Sequence, residues 1–114
     1  MRVIIAGSRS IENYSILLDA IDESGFQVTT VISGRAKGVD RMGETYAYLR
    51  GLTIDVFPAD WDKHGKAAGY IRNSEMAEHA DALIAIWDGK SKGTKNMIEI
   101  AKRKGLKVFV KEIK

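Results

Sequence analysis

An alternation narrows what this chain can become more than any single motif does. Short apolar runs, "VIIA" at 3–6, "VTTVI" at 28–32, "LTIDVF" at 52–57, "ALIAIW" at 82–87 and "VFV" at 108–110, are separated by longer segments of helical period. The first and fourth runs are nearly continuous in Val, Ile, Leu and Ala, as expected of strands covered by helices on both faces of a parallel sheet. Between the runs, Ile11, Tyr14, Leu17, Leu18 and Ile21 recur at helical spacing, as do Val39, Met42, Tyr46 and Leu49. Gly25, Gly51 and Gly105 follow three of the predicted helices, where a residue tolerant of positive φ is wanted. Pro58, the only proline, closes the third strand. With 114 residues, 45% of them hydrophobic, there is material for one core and not for two. No composition shift, internal repeat or low-complexity stretch divides the chain. Residues 1–114 are therefore expected to form a single three-layer α/β domain. Its five-stranded, mainly parallel sheet is expected in the order 3-2-1-4-5, with right-handed crossovers.

Composition excludes several classes of function. There is no charged segment followed by an apolar stretch at the N-terminus, and no apolar run approaches the roughly 20 residues of a membrane span, so a cytoplasmic protein without a membrane partner is expected. Cysteine is absent, which removes disulfides, thiolate metal sites and a Cys nucleophile. His64 has no carboxylate or second histidine at metal-ligand spacing and reads as a loop residue; His79 sits late in a helix, where a cation suits the dipole. No metal and no cofactor are called for. Net charge is +3, but residues 89–114 carry 9 Lys/Arg against 2 Asp/Glu, a basic quarter that reads first as a solvated helix face.

In a sheet of this order, ligands sit beyond the carboxyl ends of the strands where the winding reverses, here between strands one and four. The segments after the strands are "GSRS" at 7–10, "SGRAKGVD" at 33–40, "PADWDKHGKAAG" at 58–69 and "WDGKSKGT" at 87–94, and three of them combine glycine, a hydroxyl and a cation. Glycine lets backbone N–H groups approach an anion, and a helix N-terminus favours negative charge; Gly7, Gly34, Gly38, Gly89 and Gly93 fit that role. Ser8, Ser33, Ser91 and Thr94 offer hydroxyl hydrogen bonds, while Arg9, Arg35 and Lys37 offer charge. The plain alternative is caps and surface charges, with Ser10, Asp40 and Thr94 as helix caps or first-turn residues. Asp40 would repel phosphate, so in contact with a ligand it should accept a ribose hydroxyl. Trp61 is suited to stacking on a base and Arg72 to pairing with phosphate; Trp87 and Asp88 end the fourth strand beside the switch point. "GSRS" is not G-x-G-x-x-G and "GRAKG" lacks the G-K-[ST] of a P-loop, so neither a dinucleotide fingerprint nor an ATPase is supported.

Taken together, "GSRS", "SGRAKGVDRMGETYA" and "ADWDKHGKAAGYIRNSEMAEHADALIAIWDGKSKGT" resemble the SLOG superfamily of Rossmann-like nucleotide-binding proteins, specifically its YspA and cpYpsA-related subgroup. The resemblance spans nearly the whole chain, and the string W-D-x-x-G-K-A-A-G-x-x-R-N is its most specific part. It implies a nucleotide or nucleotide-derived ligand at the strand ends, with Asp60, Trp61, Arg72 and Asn73 of the middle segment among the binding residues, and a homo-oligomer, dimer or tetramer. The superfamily includes the Lonely Guy phosphoribohydrolases, whose arginine lies in R-K-x-x-M and whose glutamate lies in P-G-G-x-G-T-x-x-E. Here "RNSEM" keeps Arg72 and Met76 but has Asn73 for the lysine, and "DGKSKGTKNMIE" keeps Gly93 and Thr94 but places Met97 at the glutamate position. Glu99, two residues on, lies about 200° around a helix and is no substitute. N-glycosidic cleavage would need another carboxylate, from Asp40, Asp60, Asp62 or Asp88. The superfamily also includes the DNA-processing protein DprA, which "SGRAKGVD" resembles and which implies contact with the phosphate backbone of single-stranded DNA.

Three functions are therefore open. The leading one is binding or sensing of a nucleotide-derived small molecule, either a nucleoside phosphate or an ADP-ribose-like species. The second is N-glycosidic hydrolysis or transfer with Arg72, Asp40 and Asp88 as catalytic candidates, and the third is single-stranded DNA binding.

Overall fold

In β1 (Arg2–Gly7) the side chains of Val3, Ile4, Ile5 and Ala6 alternate between two faces, and all four are buried. Both faces of this strand must therefore be covered. The computed structural model, which describes residues 1–113, shows how. β1 lies at the centre of an all-parallel sheet ordered β3-β2-β1-β4-β5, as the sequence predicts. Its neighbours are β2 (Thr30–Ser33) and β4 (Ala82–Trp87), and the edges are β3 (Thr53–Val56) and β5 (Lys107–Glu112).

Val3, Ile5, Val31, Ile84 and Ile86 face Leu17 and Ile21 of α1 (Tyr14–Ser24) and Val39 and Ala47 of α2 (Val39–Arg50). On the other face, Ile4, Ala6, Ile32, Leu83 and Ala85 meet Met76 and Ala77 of one helix and Met97, Ile98 and Ala101 of another. Those helices are α4 (Ala68–Glu78) and α5 (Lys92–Arg103). Ile4, Ile5, Leu83 and Ile84 are fully enclosed, each contributing about 1.5–3 kcal/mol relative to an exposed position. The two central strands are thus what the continuous apolar runs require. The edge strands are shorter or half exposed.

Several boundaries differ from the periodicity. α1 begins at Tyr14 and not at Ile11, because the Asn13 side chain accepts a hydrogen bond from Ser15 N–H and caps the helix there. Ser10 therefore has no capping role, and Ile11 N–H closes a turn onto the Ser8 carbonyl. β5 runs for six residues, longer than "VFV", since pairing with β4 continues from Lys107 to Glu112. The long middle segment is mostly helical: a one-turn α3 (Trp61–His64), a 3-10 turn at Gly65–Ala67, then α4. Gly25 and Gly51 cap their helices in the left-handed region, whereas α5 is capped by Lys104 and Gly105 takes its positive φ one residue later.

α1 and α2 carry the chain outward from β1 on one face, while the crossover from β3 to β4 returns it to the opposite side of β1. The reversal leaves a crevice at the carboxyl ends of β1 and β4. Among the described residues, no helix is long and apolar enough to cross a membrane.

Candidate functional site

That crevice holds a cavity of about 220 Å³ between the end of β1, the β2–α2 loop, α4 and the start of α5. Its floor is apolar, built from Ala6, Met76 and Met97. Trp61 and Tyr70 stand as aromatic walls, with Trp61 54% exposed. Arg9, Asp40, Lys66, Arg72, Asn73, Ser91 and Thr94 supply the polar lining. A second cavity of about 320 Å³ adjoins it, sharing Arg9, Ala36, Trp61 and Arg72 and adding Gly34, Arg35, Lys37, Pro58 and Ala59. An apolar floor, flat aromatic walls and a few convergent charges are what a base with a polar appendage needs.

Asp40 and Arg72 define the electrostatics. Asp40 sits in the first turn of α2, only 4% exposed, and its Oδ2 accepts from Ala36 N–H at 3.2 Å. Burial raises its carboxyl from 3.8 to about 6, against the opposing pull of the Ala36 N–H and the Arg72 guanidinium. Arg72 reaches across from α4. Its Nη1 donates to the Gly34 carbonyl and its Nε to Asn73 Oδ1 at 3.1 Å. Burial lowers its pKa, with Asp40 acting to raise it and Arg9 to lower it; an arginine remains charged regardless. Asn73 is fixed in turn, its Nδ2 donating to Asn96 Oδ1 at 2.9 Å and to the Gly93 carbonyl at 3.3 Å.

The β2–α2 loop is built to let Arg72 in. A Cβ at Gly34 would lie 2.5 Å from Arg72 Nη1 and 3.0 Å from Asp40 Oδ2, so only glycine admits the guanidinium there. The next residue, Arg35, takes a left-handed φ of 62°, uncommon for a side-chain-bearing residue. Ser33 Oγ accepts from Arg35 N–H at 3.1 Å and donates to Glu44 Oε2 at 2.6 Å, while Glu44 Oε1 lies 3.5 Å from Arg35 Nη2. Gly38 takes a φ of 76°, and a Cβ there would strike the carbonyls of Ser8 and Arg9. The glycines of this loop serve close packing of protein against protein as well as an open rim.

The structure thus brings together at the cavities Gly7, Arg9, Gly34, Arg35, Lys37, Asp40, Trp61, Arg72, Asn73, Ser91, Gly93 and Thr94. The remaining predicted residues lie elsewhere, each for a local reason. Ser8 and Ser33 are buried; Ser8 Oγ accepts from Asp88 N–H at 3.0 Å, and Ser33 is engaged with Glu44. Trp87 packs against the α4 and α5 core, and its Nε1 donates to the Ser91 carbonyl at 3.0 Å. Asp88 closes the β4–α5 turn, accepting from Lys90 and Ser91 N–H at 2.8 Å each. Those two bonds, Ser91 first, hold its pKa below the ordinary carboxylate value. Gly89 takes a φ of 80° in that turn, beside Glu112. Asp60 caps α3 by accepting from Lys63 N–H at 3.0 Å.

His79 caps α4 and packs its ring against Phe57 with centroids 5.3 Å apart. Among the described residues, no three His, Asp or Glu side chains stand together as a metal site. Lys66, Tyr70 and Met76 line the cavity without having been singled out by sequence as binding residues. The signal was present: Lys66, Gly69, Tyr70, Asn73 and Met76 fall on one helical stripe.

Residues 1–64 match the sequence model of the YspA, cpYpsA-related SLOG family. Over 117 aligned residues the chain is also 34% identical to the gene 61 protein of Mycobacterium phage D29, an alignment covering 95% of this chain and 94% of that protein.

Proposed function

The chain belongs to the YspA, cpYpsA-related SLOG family, and on that premise we propose that it binds a nucleotide or nucleotide-derived small molecule at the carboxyl ends of β1 and β4. One observation carries the reading: the cavity joins an apolar floor and two aromatic walls to a buried carboxylate and a fixed arginine. The base lies against Trp61 and Tyr70 over Met76 and Met97. Asp40, already taking one N–H from Ala36, accepts a ribose hydroxyl, and Arg72 faces phosphate. Thermal shift against nucleosides and their 5′-phosphates tests this. A ligand at 100 times its Kd stabilises by about 2.7 kcal/mol, and the shift should vanish in Trp61→Ala. A panel in which no member raises Tm overturns the reading.

Asp40 also favours a second reading, N-glycosidic cleavage. A carboxyl titrating at about 6 inside a ligand cavity is matched to general acid or base work near neutral pH. Of the other carboxylates, Asp60 caps α3, Asp62 is exposed on α3 and Asp88 is held in its turn, all outside the cavity lining. Met97 leaves no carboxylate at the glutamate position, and Glu99 is exposed on α5. Release of free base from nucleoside 5′-monophosphates, lost in Asp40→Asn, would establish cleavage. Binding without base release at high enzyme concentration leaves the protein a binder.

A further inference from the structure

Both cavities share Arg9 and Arg72, but the first sets Asp40 against these and Lys66 while the second adds Arg35 and Lys37 and no acid, which sorts the two by charge. The second cavity is lined by Arg9, Arg35, Lys37 and Arg72 and by no acidic side chain. Of these four, Arg35 is paired with Glu44 and Arg72 stands beside Asp40; Arg9 and Lys37 form no ion pair among the described residues. We propose that the second cavity is an anion subsite that takes the diphosphate of a nucleoside diphosphate or a ligand built on one, with base and ribose in the first cavity. The assignment rests on the nucleotide reading above and adds to it a direction of binding and a number of phosphates.

Direction follows from like-charge repulsion. A phosphate in the first cavity would sit beside the Asp40 carboxylate in a partly enclosed space, where repulsion exceeds the ~1 kcal/mol felt at 4 Å in water. In the second cavity it meets only cations. Phosphate number follows from the number of lining cations and the size of the space. A terminal phosphate with a second pKa near 6 carries about two negative charges at neutral pH, and a diphosphate about three. The latter engages more of the four lining cations, of which Arg9 and Lys37 have no acid beside them, Arg35 has Glu44 and Arg72 has the Asp40 carboxylate. At about 320 Å³ the space also exceeds what one phosphate fills.

The subsite is held open before a ligand arrives. Arg72 is tied to the Gly34 carbonyl and to Asn73, and the Ser33–Glu44 hydrogen bond fixes the loop that carries Arg35 and Lys37. Arg72 and the loop backbone then lose little conformational freedom on binding, and the ordering falls on the exposed Arg9 and Lys37 side chains.

Calorimetric titration of the full chain at fixed ionic strength tests the proposal. The ligands are inorganic pyrophosphate, inorganic phosphate, and nucleosides with their 5′-mono- and diphosphates. Pyrophosphate is expected to bind saturably and at least tenfold more tightly than phosphate. The nucleoside diphosphate should exceed its monophosphate by a similar factor. Arg35→Asn/Lys37→Ala should lower pyrophosphate affinity at least tenfold and narrow the diphosphate-to-nucleoside ratio. Both positions are exposed and Asn accepts the left-handed φ, so the variant should fold; Lys37→Ala alone gives the same direction of change. Nucleosides that bind while pyrophosphate does not, or diphosphates no tighter than monophosphates, overturn the subsite and leave the nucleotide function standing. Pyrophosphate binding with no response to any nucleoside or nucleotide overturns both the function and this choice of ligand.

Discussion

The β2–α2 loop and the β4–α5 turn read almost alike, "SGRAKGVD" and "WDGKSKGT", yet they are built in opposite senses. The β4–α5 turn is closed on itself. Asp88 takes two backbone N–H groups, Ser91 Oγ takes Thr94 N–H, and the Trp87 indole donates back to Ser91. Its acid is half-buried and its hydrogen bonds are satisfied within the turn. The β2–α2 loop is open. It uses Ser33 and Glu44 to hold a strained arginine outward, and it places Asp40 in a buried position at the wall of the cavity. A shared vocabulary of glycine, hydroxyl and cation therefore makes a self-satisfied turn in one place and a charged rim in the other.

The pH dependence of stability should separate the two acids most strongly. Asp40 titrates at about 6 in the folded chain against 3.8 when unfolded, so the native state binds the extra proton between those values. Stability from this group is highest below pH 3.8, falls as pH rises to about 6 and is level above. At 1.36 kcal/mol per pKa unit, the penalty at pH 8 is about 3 kcal/mol. Asp40→Asn keeps an acceptor for Ala36 N–H, and should be more stable than the parent at pH 8 by up to that amount and equal to it near pH 3. Urea denaturation at the two pH values measures this, and a difference independent of pH would place the Asp40 carboxyl in a solvated setting.

Glycine substitution should distinguish the regions next. Gly34→Ala presses a methyl against Arg72 and Asp40 and should destabilise by about 1–3 kcal/mol, with loss of any nucleotide-induced shift in Tm. At Gly89 the nearest atom to a Cβ is 3.6 Å away, so the left-handed φ of 80° is the main obstacle. Gly89→Ala should cost about 1 kcal/mol and preserve the ligand response. Equal loss of ligand response in both variants would erase the distinction between open rim and closed turn.

Asp88 gives the opposite pH slope to Asp40. Its pKa is lowered by the N–H groups of Ser91 and Lys90, so its stabilising contribution is present above the unfolded value and is lost as pH falls through the folded one. Asp88→Ala should lower Tm at pH 7 and have little effect in strong acid. The smallest effect on stability is expected from Lys37→Ala, an exposed residue without an ion pair among those described, within about 0.5 kcal/mol. Thermal melts compared with nucleotide titration would show whether Lys37 matters to the ligand alone.

Much of the fold was legible because burial on both faces leaves a mark on composition. "VIIA" and "ALIAIW" became the central strands, and the crevice at their carboxyl ends followed from the order. Arg9, Arg72, Asp40 and Trp61 were legible as cavity residues. Ser8, Ser33 and Asp88 were not, since a short polar side chain beside a turn has hydrogen-bond partners within reach and is satisfied there first; Trp87 was not, because it packs against the α4 and α5 core. Lys66, Tyr70 and Met76 carry no motif for a different reason. Their helical stripe looks like an ordinary amphipathic face, and only the position of α4 over the end of β1 turns that face into a wall.

The amino-acid pattern alone thus dictated five parallel strands in one domain, the reversal of winding between β1 and β4, and a supply of glycines, hydroxyls and cations at the strand ends. Hydrophobic burial and chain chirality suffice for that, because both act on periodicity. Which hydroxyls close on the backbone, which cations stay unpaired, and that Asp40 is enclosed beside Arg72 were decided by tertiary packing. These depend on distances between segments remote in the chain, such as the reach of Arg72 to the Gly34 carbonyl, and no local pattern encodes them.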